Sequence, residues 1–293
     1  MACFLVLLLY SNLYNMLHKF IEFTLKSSDE IQIILFAGIM LIGLYIERIA
    51  ASYHIENKWK HSLLNFPFII TNVPIQFIMG IIFVKTIHFT GMNEFGVIHF
   101  FSSIHNHFWV FIIGFSMLDL GEYVYHLIMH KVKRLWMFHI VHHSDNSIDV
   151  STTVREHPGE NFIRMSFTFL WVFLSGCPLW VFVIRQIIQV VTTLFAHVNF
   201  QLPEKLNNII GLIFITPNLH HIHHHYKQPY TDCNYGDVLS IWDRIFGTFQ
   251  NTPPEKIVFG VDSIEDKNNV SNFKYLIKVP FGKYLKRPDS TYE

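Results

Sequence analysis

Three stretches of this chain run on without a single charged side chain: residues 31–46 (IQIILFAGIMLIGLYI), 63–84 (LLNFPFIITNVPIQFIMGIIFV) and 97–118 (VIHFFSSIHNHFWVFIIGFSML). A helix needs roughly 20 apolar residues to cross the hydrocarbon of a bilayer, so each stretch is a candidate span. Glu47 and Arg48 close the first, and Pro67 and Pro74 are expected to bend the second. His99, His105 and His107, near the start of the third, read as interfacial loop histidines. The N-terminal run ACFLVLLLY lacks the basic start and small-residue cleavage site of a signal peptide, and reads as a membrane-embedded or interfacial helix. Composition agrees: only 15% of the 293 residues are charged, against about 25% in an ordinary soluble domain. The net charge of zero argues against nucleic acid as a partner. Three scattered cysteines, Cys3, Cys177 and Cys233, form no CxxC and suggest no disulfide framework, so the soluble parts are expected in a reducing compartment.

Residues 162–200 are apolar too, but they break at Ser175-Gly176-Cys177-Pro178. Gly and Pro together favour a turn. The segment therefore reads as a membrane hairpin, about 162–197, that brings the chain back to its starting side. Arg185 falls inside its second half, where a charge facing lipid is costly, so it is expected to face protein and a carboxylate. Basic residues near the span ends set orientation. Arg48, Lys58 and Lys60 follow the first span, and Lys131, Lys133 and Arg134 follow the third. Both loops are then cytoplasmic, and every dense histidine segment shares that face.

Twelve of the 19 histidines lie between His126 and His225. The first set is His126 and His130, an i, i+4 pair continuing a membrane helix. The second is His139, His142 and His143, spaced i, i+3, i+4. Such spacings place imidazoles on one face of a helix. The third, HHIHHH at 220–225, fits the same spacing in two frames: His220/His223/His224 or His221/His224/His225. Helix geometry does not choose between them. Eight imidazoles exceed what one tetrahedral zinc takes, and two metal ions fit the count. Imidazole nitrogen suits Fe, Zn, Cu and Ni alike.

In order along the chain stand HxxxH, HxxHH followed by SD, HP, HxN, TPxxHxxHH, NYG and WDRxFGTF. Over Asp119–Phe249 this series resembles the fatty acid hydroxylase/sterol desaturase superfamily of integral-membrane di-iron oxygenases. The resemblance implies an all-α, multi-span helical membrane protein with a cytoplasmic-side, histidine-rich helical cap holding a di-metal site. It implies the frame His220, His223 and His224, with His221 and His225 on variable positions, and it adds His157 and His197 as ligands. The implied ligand set is then His126, His130, His139, His142, His143, His157, His197, His220, His223 and His224. The implied cofactors are two iron ions, with zinc able to replace them on purification, and O2. HPGE, at His157–Glu160, is similar to the haem-binding HPGG of small b-type cytochromes, but only a membrane hairpin follows it.

Ligating histidines usually donate their second ring N–H to a carboxylate or carbonyl. Acids near the sets include Asp119, Glu122, Asp145, Asp149, Glu160, Asp232 and Asp237. Asp119 and Glu122 precede His126 on its helical side, and Asp145 follows the second set directly. These three, with Asn199 and Asn234, are the expected supports of the ligands. The Asp243-Arg244 pair of WDRIFGTF is expected to anchor structure.

The three regions expected are N-terminal transmembrane helices (1–118), a catalytic region (119–250) and a polar C-terminal tail (251–293). Neither GxGxxG nor GxxxxGK[ST] is present, so electrons must come from a separate donor: a cytochrome, a ferredoxin or a reduced pterin. The resemblance implies hydroxylation or desaturation of a lipid drawn from the bilayer, a fatty acyl chain or a sterol, into a cavity lined by the hairpin's Phe and Trp. Alkylglycerol monooxygenase-like ether-lipid cleavage is the near alternative. A membrane metal-binding or transport protein is the alternative from another class, but transporters place ionisable ligands within the spans. The expected location is the bacterial inner membrane or the endoplasmic reticulum, with the metals facing the cytoplasm.

Overall fold

The computed structural model describes residues 28–100, 106–251, 257–261, 263, 264, 269–283 and 285. The run at 2–10 and His105 lie outside the described residues. Among the described residues the chain is helical, with two isolated β-bridges and no strands. Helix α1 is Ser28–Ala50, α2 Lys58–Asn65, α3 Pro67–Met92, α4 Val97–Phe100, α5 His107–Lys131 and α6 Lys133–His143. The hairpin is α7, Pro158–Ser175, and α8, Leu179–His197. Four short helices follow: α9 Glu204–Ile210, α10 Pro217–His223, α11 Ile241–Phe246 and α12 Phe273–Lys278.

Among the described residues, four helical segments are long and apolar enough to cross a membrane: Ile33–Ala50, Lys58–Phe100, His107–Lys131 and Leu179–His197. Their outer faces carry exposed apolar side chains such as Ile34, Leu41, Ile70 and Phe77. Lipid is the solvent that makes such a surface favourable. The third span differs from the charge-free stretch 97–118. Its helix starts at His107 and runs through Asp119 and Glu122 to Lys131, so His126 and His130 ride on the last turns of the span itself. The carboxylates are tolerated because both are buried inside the bundle, away from lipid.

The hairpin turns where Gly and Pro ask for it. Gly176 caps α7 at φ 65°, a left-handed geometry natural to glycine, and Pro178 precedes α8. The two arms splay onto different partners: α7 packs on α3 and α5, α8 on α1, α5 and α10. Close approach of α7 to α5 needs Gly121, where a Cβ would stand 2.4 Å from the Trp171 ring.

Buried polar groups lock the ends of these helices together. Glu47, at the end of α1, accepts the backbone N–H groups of Val150 (2.7 Å) and Asn199 (2.8 Å) and pairs with Lys58 (2.6 Å). Arg155 is 1% exposed. It donates to Val141 O, Asn65 Oδ1, Ser144 Oγ and Val270 O, joining α6, α2 and the C-terminal segment. Arg185 also faces protein, 3.7–3.9 Å from carboxylate oxygens of Asp119, Glu122 and Asp237.

Candidate metal centre

Three local structures bring the histidines inward. The first pair sits on α5, where i, i+4 spacing stacks His126 and His130 on one face. In the second set, on α6, His139, His142 and His143 are all buried. The third begins at Thr216, whose hydroxyl caps α10 by accepting from Leu219 N, with Pro217 in the first helical position. Thr at the cap and Pro at the first position are strong start signals, so this seven-residue helix begins where its sequence says it must.

The sets converge as two groups. His126, His130, His139, His143 and His223 form one, and His142, His197, His220 and His224 the other. Within each group one ring nitrogen from every residue lies within 4.8 Å of all the rest. Several Nε2 atoms face each other directly: His126 and His139 at 3.1 Å, His142 and His197 at 3.2 Å, His197 and His220 at 3.0 Å, and His220 and His224 at 3.2 Å. Two nitrogens bound at right angles to one ion, at about 2.1 Å each, stand about 3.0 Å apart.

Five rings have Nδ1 against an oxygen. His126 meets Tyr235 O (2.9 Å), His223 meets Cys233 O (2.7 Å) and His197 meets Thr193 O (2.8 Å). His130 lies 3.3 Å from Asp232 Oδ1, and His139 is held by Glu160 Oε1. A carbonyl can only accept, so Nδ1 of His126, His197 and His223 carries the proton and Nε2 keeps its lone pair for a metal. Burial, then neighbouring positive charge, drives the pKa of His139, His142, His143, His220, His223 and His224 well below the usual histidine value. Neutral imidazole is the form that ligates. Both ring nitrogens of His143 and Nε2 of His223 are buried with no hydrogen-bond partner. An orphaned buried acceptor costs about 1–3 kcal/mol unless something fills its lone pair. The donor set therefore fits two imidazole-bound metal ions.

The structure places the other expected residues as follows. His157 stands outside both groups. Its Nδ1 accepts from Gly159 N (2.9 Å) as the N-cap of α7, and its Nε2 donates to Ile277 O (3.1 Å). Both nitrogens are spent, so it has no lone pair to offer. The rings of His221 and His225 also point away from the groups, His221 against Phe259 and His225 against Tyr226 and Tyr230.

None of the five expected supports forms a hydrogen bond to a grouped imidazole. Asp119 accepts from Trp242 Nε1 (2.9 Å) and Leu239 N (3.2 Å). Glu122 lies against Arg164 and Arg185. Asp145 holds His61 Nε2 at 2.8 Å, tying α2 to the end of α6. Its carboxyl is held well below the usual range: burial would raise it, but His61 and Arg155 overcome that. Asn199 clamps the backbone of Ser52 and Tyr53, fixing the chain just past His197. Asn234 donates to Leu219 O (2.9 Å), beside His220. Asp243 accepts from Tyr235 N and Gly236 N, shaping the turn whose Tyr235 carbonyl meets His126.

The residues that do touch the rings are Glu160 and Asp232, which the sequence marked only as nearby acids. Glu160 is fully buried and also accepts from Tyr125 OH (3.1 Å); burial raises its pKa to about 7. Glu156, Arg164 and His61 gave no sequence signal: Glu156 pairs with Arg164, which also reaches Glu122 on α5, and His61 meets Asp145 far along the chain.

A cavity of about 30 Å³ opens on both groups. His126, His139, His142, His197 and His220 line it, together with the charged residues Glu122, Glu156, Glu160, Arg164 and Asp237. It has room for about two waters, not for an acyl chain. No hairpin Phe or Trp lines it. Those aromatics pack elsewhere, Trp171 on Gly121, Trp180 on Phe111 and Phe182 on Phe83.

Helical spans, buried imidazoles in two groups and the order of the motifs define a histidine-rich membrane protein. Residues 111–248 match the family model for fatty acid hydroxylase, which supports the resemblance the motifs carry. The chain is 32% identical over 159 residues to an ornithine lipid hydroxylase of Rhizobium tropici, covering 52% of this chain and 47% of that protein. It is 33% identical over 162 residues to the alkylglycerol monooxygenase of Homo sapiens, covering 52% of this chain and 33% of that one. It is 26% identical over 135 residues to the human cholesterol 25-hydroxylase, covering 46% and 48%. The chain thus spans less than half the length of these curated relatives. No solved structure matches it.

Proposed function

We propose that this chain is a membrane-bound, O2-dependent oxidoreductase that hydroxylates or desaturates a lipid at a di-iron centre. The observation that carries the reading is the pair of buried imidazole groups, five and four, facing one small cavity. Under this reading nine histidines, His126, His130, His139, His142, His143, His197, His220, His223 and His224, hold two ions. Iron bound there supplies the activation of O2 that an unactivated C–H bond requires. The chain's own part is to hold and orient. Glu160, Tyr235 O, Cys233 O and Thr193 O fix ring tautomers, while the buried walls keep bulk water from the reacting carbon. Arg164, between Glu122 and Glu156, is the one Lys or Arg on the cavity wall among the described residues, and side chains there must shift to admit a lipid carbon.

Hydroxylation consumes O2, two electrons and two protons and releases one water, so an external donor is part of the proposal. The metal face is assigned to the cytoplasm, on the basic residues beside the spans. Residues 1–118 serve as membrane anchor and 119–250 as the catalytic region, ahead of a C-terminal segment. Cleavage of an alkyl ether lipid is the second reading, favoured by the likeness to the human alkylglycerol monooxygenase.

Lipidomics of cells with and without the intact chain, under oxygen-18 gas, tests the assignment. A labelled lipid marks a hydroxylase, and an unlabelled lipid lighter by two hydrogens marks a desaturase. Loss of an O-alkyl chain as an aldehyde marks ether cleavage. No lipid change that depends on His142 and His223 would contradict the reading.

A further inference from the structure

Of the large apolar side chains exposed outside the four candidate spans, seven lie on two neighbouring segments. They are Leu206 and Ile209 on α9, Leu212, Ile213 and Phe214 just after it, and Ile245 and Phe246 on α11. The segments form one surface. Phe214 bridges to Leu239, Ser240 N donates to Ile213 O (2.9 Å), and Arg244 Nη2 donates to Gly211 O (3.0 Å).

The place of this surface along α5 says what covers it. Trp242 donates to Asp119, and the Phe246 ring stacks on Tyr123 at 5.3 Å. Asp119 and Tyr123 lie about 18 and 24 Å along α5 from His107, at 1.5 Å per residue. The whole helix is about 37 Å long and a hydrocarbon core about 30 Å thick. Wherever a core of that thickness is placed along α5, both contacts fall inside it.

Backbone at membrane depth must satisfy its own polar groups. Gly211, the turn between α9 and Leu212, does so: its carbonyl accepts from both Ser240 Oγ (2.7 Å) and Arg244 Nη2. The Arg244 guanidinium also lies 3.7 Å over the Phe249 ring, although the residue as a whole is exposed. Lys205 is one turn before Ile209, with a side chain long enough to reach the headgroups.

We propose that the face formed by α9, residues 212–214 and α11 is inserted into the bilayer hydrocarbon. It is a lipid-facing wall beside the metal centre that no long apolar run announces. It requires only that α5 cross the membrane, not the proposed reaction.

The test places a small fluorescent amino acid at Ile209 or Ile245, by codon suppression, in the full chain reconstituted into phosphatidylcholine vesicles. Phe77 serves as the lipid-facing reference and Glu56 as the water-facing one. Expected is quenching by brominated acyl chains as strong as at Phe77, with little by aqueous iodide. Quenching by iodide as at Glu56 overturns the proposal. Protection from both quenchers also overturns it and points to a protein covering the face. Should the label disturb folding, the unlabelled chain can be crosslinked with a diazirine acyl lipid. Adducts mapped to 204–214 and 241–246 support insertion, and adducts on the four spans alone contradict it. If the Phe77 reference itself reads as aqueous, the membrane placement of the bundle is wrong rather than the lipid reaction.

Discussion

The Nε2 atoms of His197 and His220 face each other at 3.0 Å, although one ends a long membrane-crossing helix and the other rides a seven-residue helix beyond it. Only the fold brings them together. The same four-imidazole group contains His224 but neither His221 nor His225. His220→Ala is therefore expected to lose metal, whereas His221→Ala and His225→Ala keep most of it. Metal analysis of the three purified variants checks this. Equal loss in all three would refute the assigned frame.

Glu160 is expected to set the grip of His139. Removing the carboxylate partner of a ligating histidine typically costs 10–100-fold in metal affinity. Glu160→Ala should show a loss of that order in chelator competition. Glu160→Gln, which retains a carbonyl able to accept the Nδ1–H, should lose less. Matching affinities for wild type and Glu160→Ala would remove Glu160 from the centre.

Arg185 is expected to matter for stability more than its single charge suggests. Its loss leaves Asp119, Glu122 and Asp237 facing one another at membrane depth. Breaking a buried ion pair on one side costs about 3–5 kcal/mol. Arg185→Met should lower the apparent melting midpoint in detergent well below that of Arg185→Lys, which keeps the charge. Indistinguishable midpoints would show that the three acids are held neutral or hydrated without it.

How much of this was legible depended on the distance over which each feature is written. The grouping of the histidines was legible because i, i+3 and i+4 spacings are local, and so was the hairpin turn at Gly176 and Pro178. Arg185 facing carboxylates followed from the cost of charge in lipid. His157 shows the limit. Its place in the motif series suggested a ligand, but the cap of α7 and the carbonyl of Ile277 claim both nitrogens. Glu160 and His139, 21 residues apart, meet only because α7 folds back across α6. His61 and Asp145 meet across 84 residues. Pairing of that kind is set by packing, and no spacing rule encodes it. The lining of the space beside the imidazoles was not legible for a related reason. The hairpin aromatics pack between helices, and charged side chains line the space beside the imidazoles.

Metal content tests the central claim most directly. The chain purified without chelators and analysed by elemental mass spectrometry against amino-acid quantification should hold about two metal ions. His142→Ala and His223→Ala, one from each group, should each lower that number and abolish the lipid product. One ion per chain in the intact protein, or full loading and activity in both variants, would contradict the account.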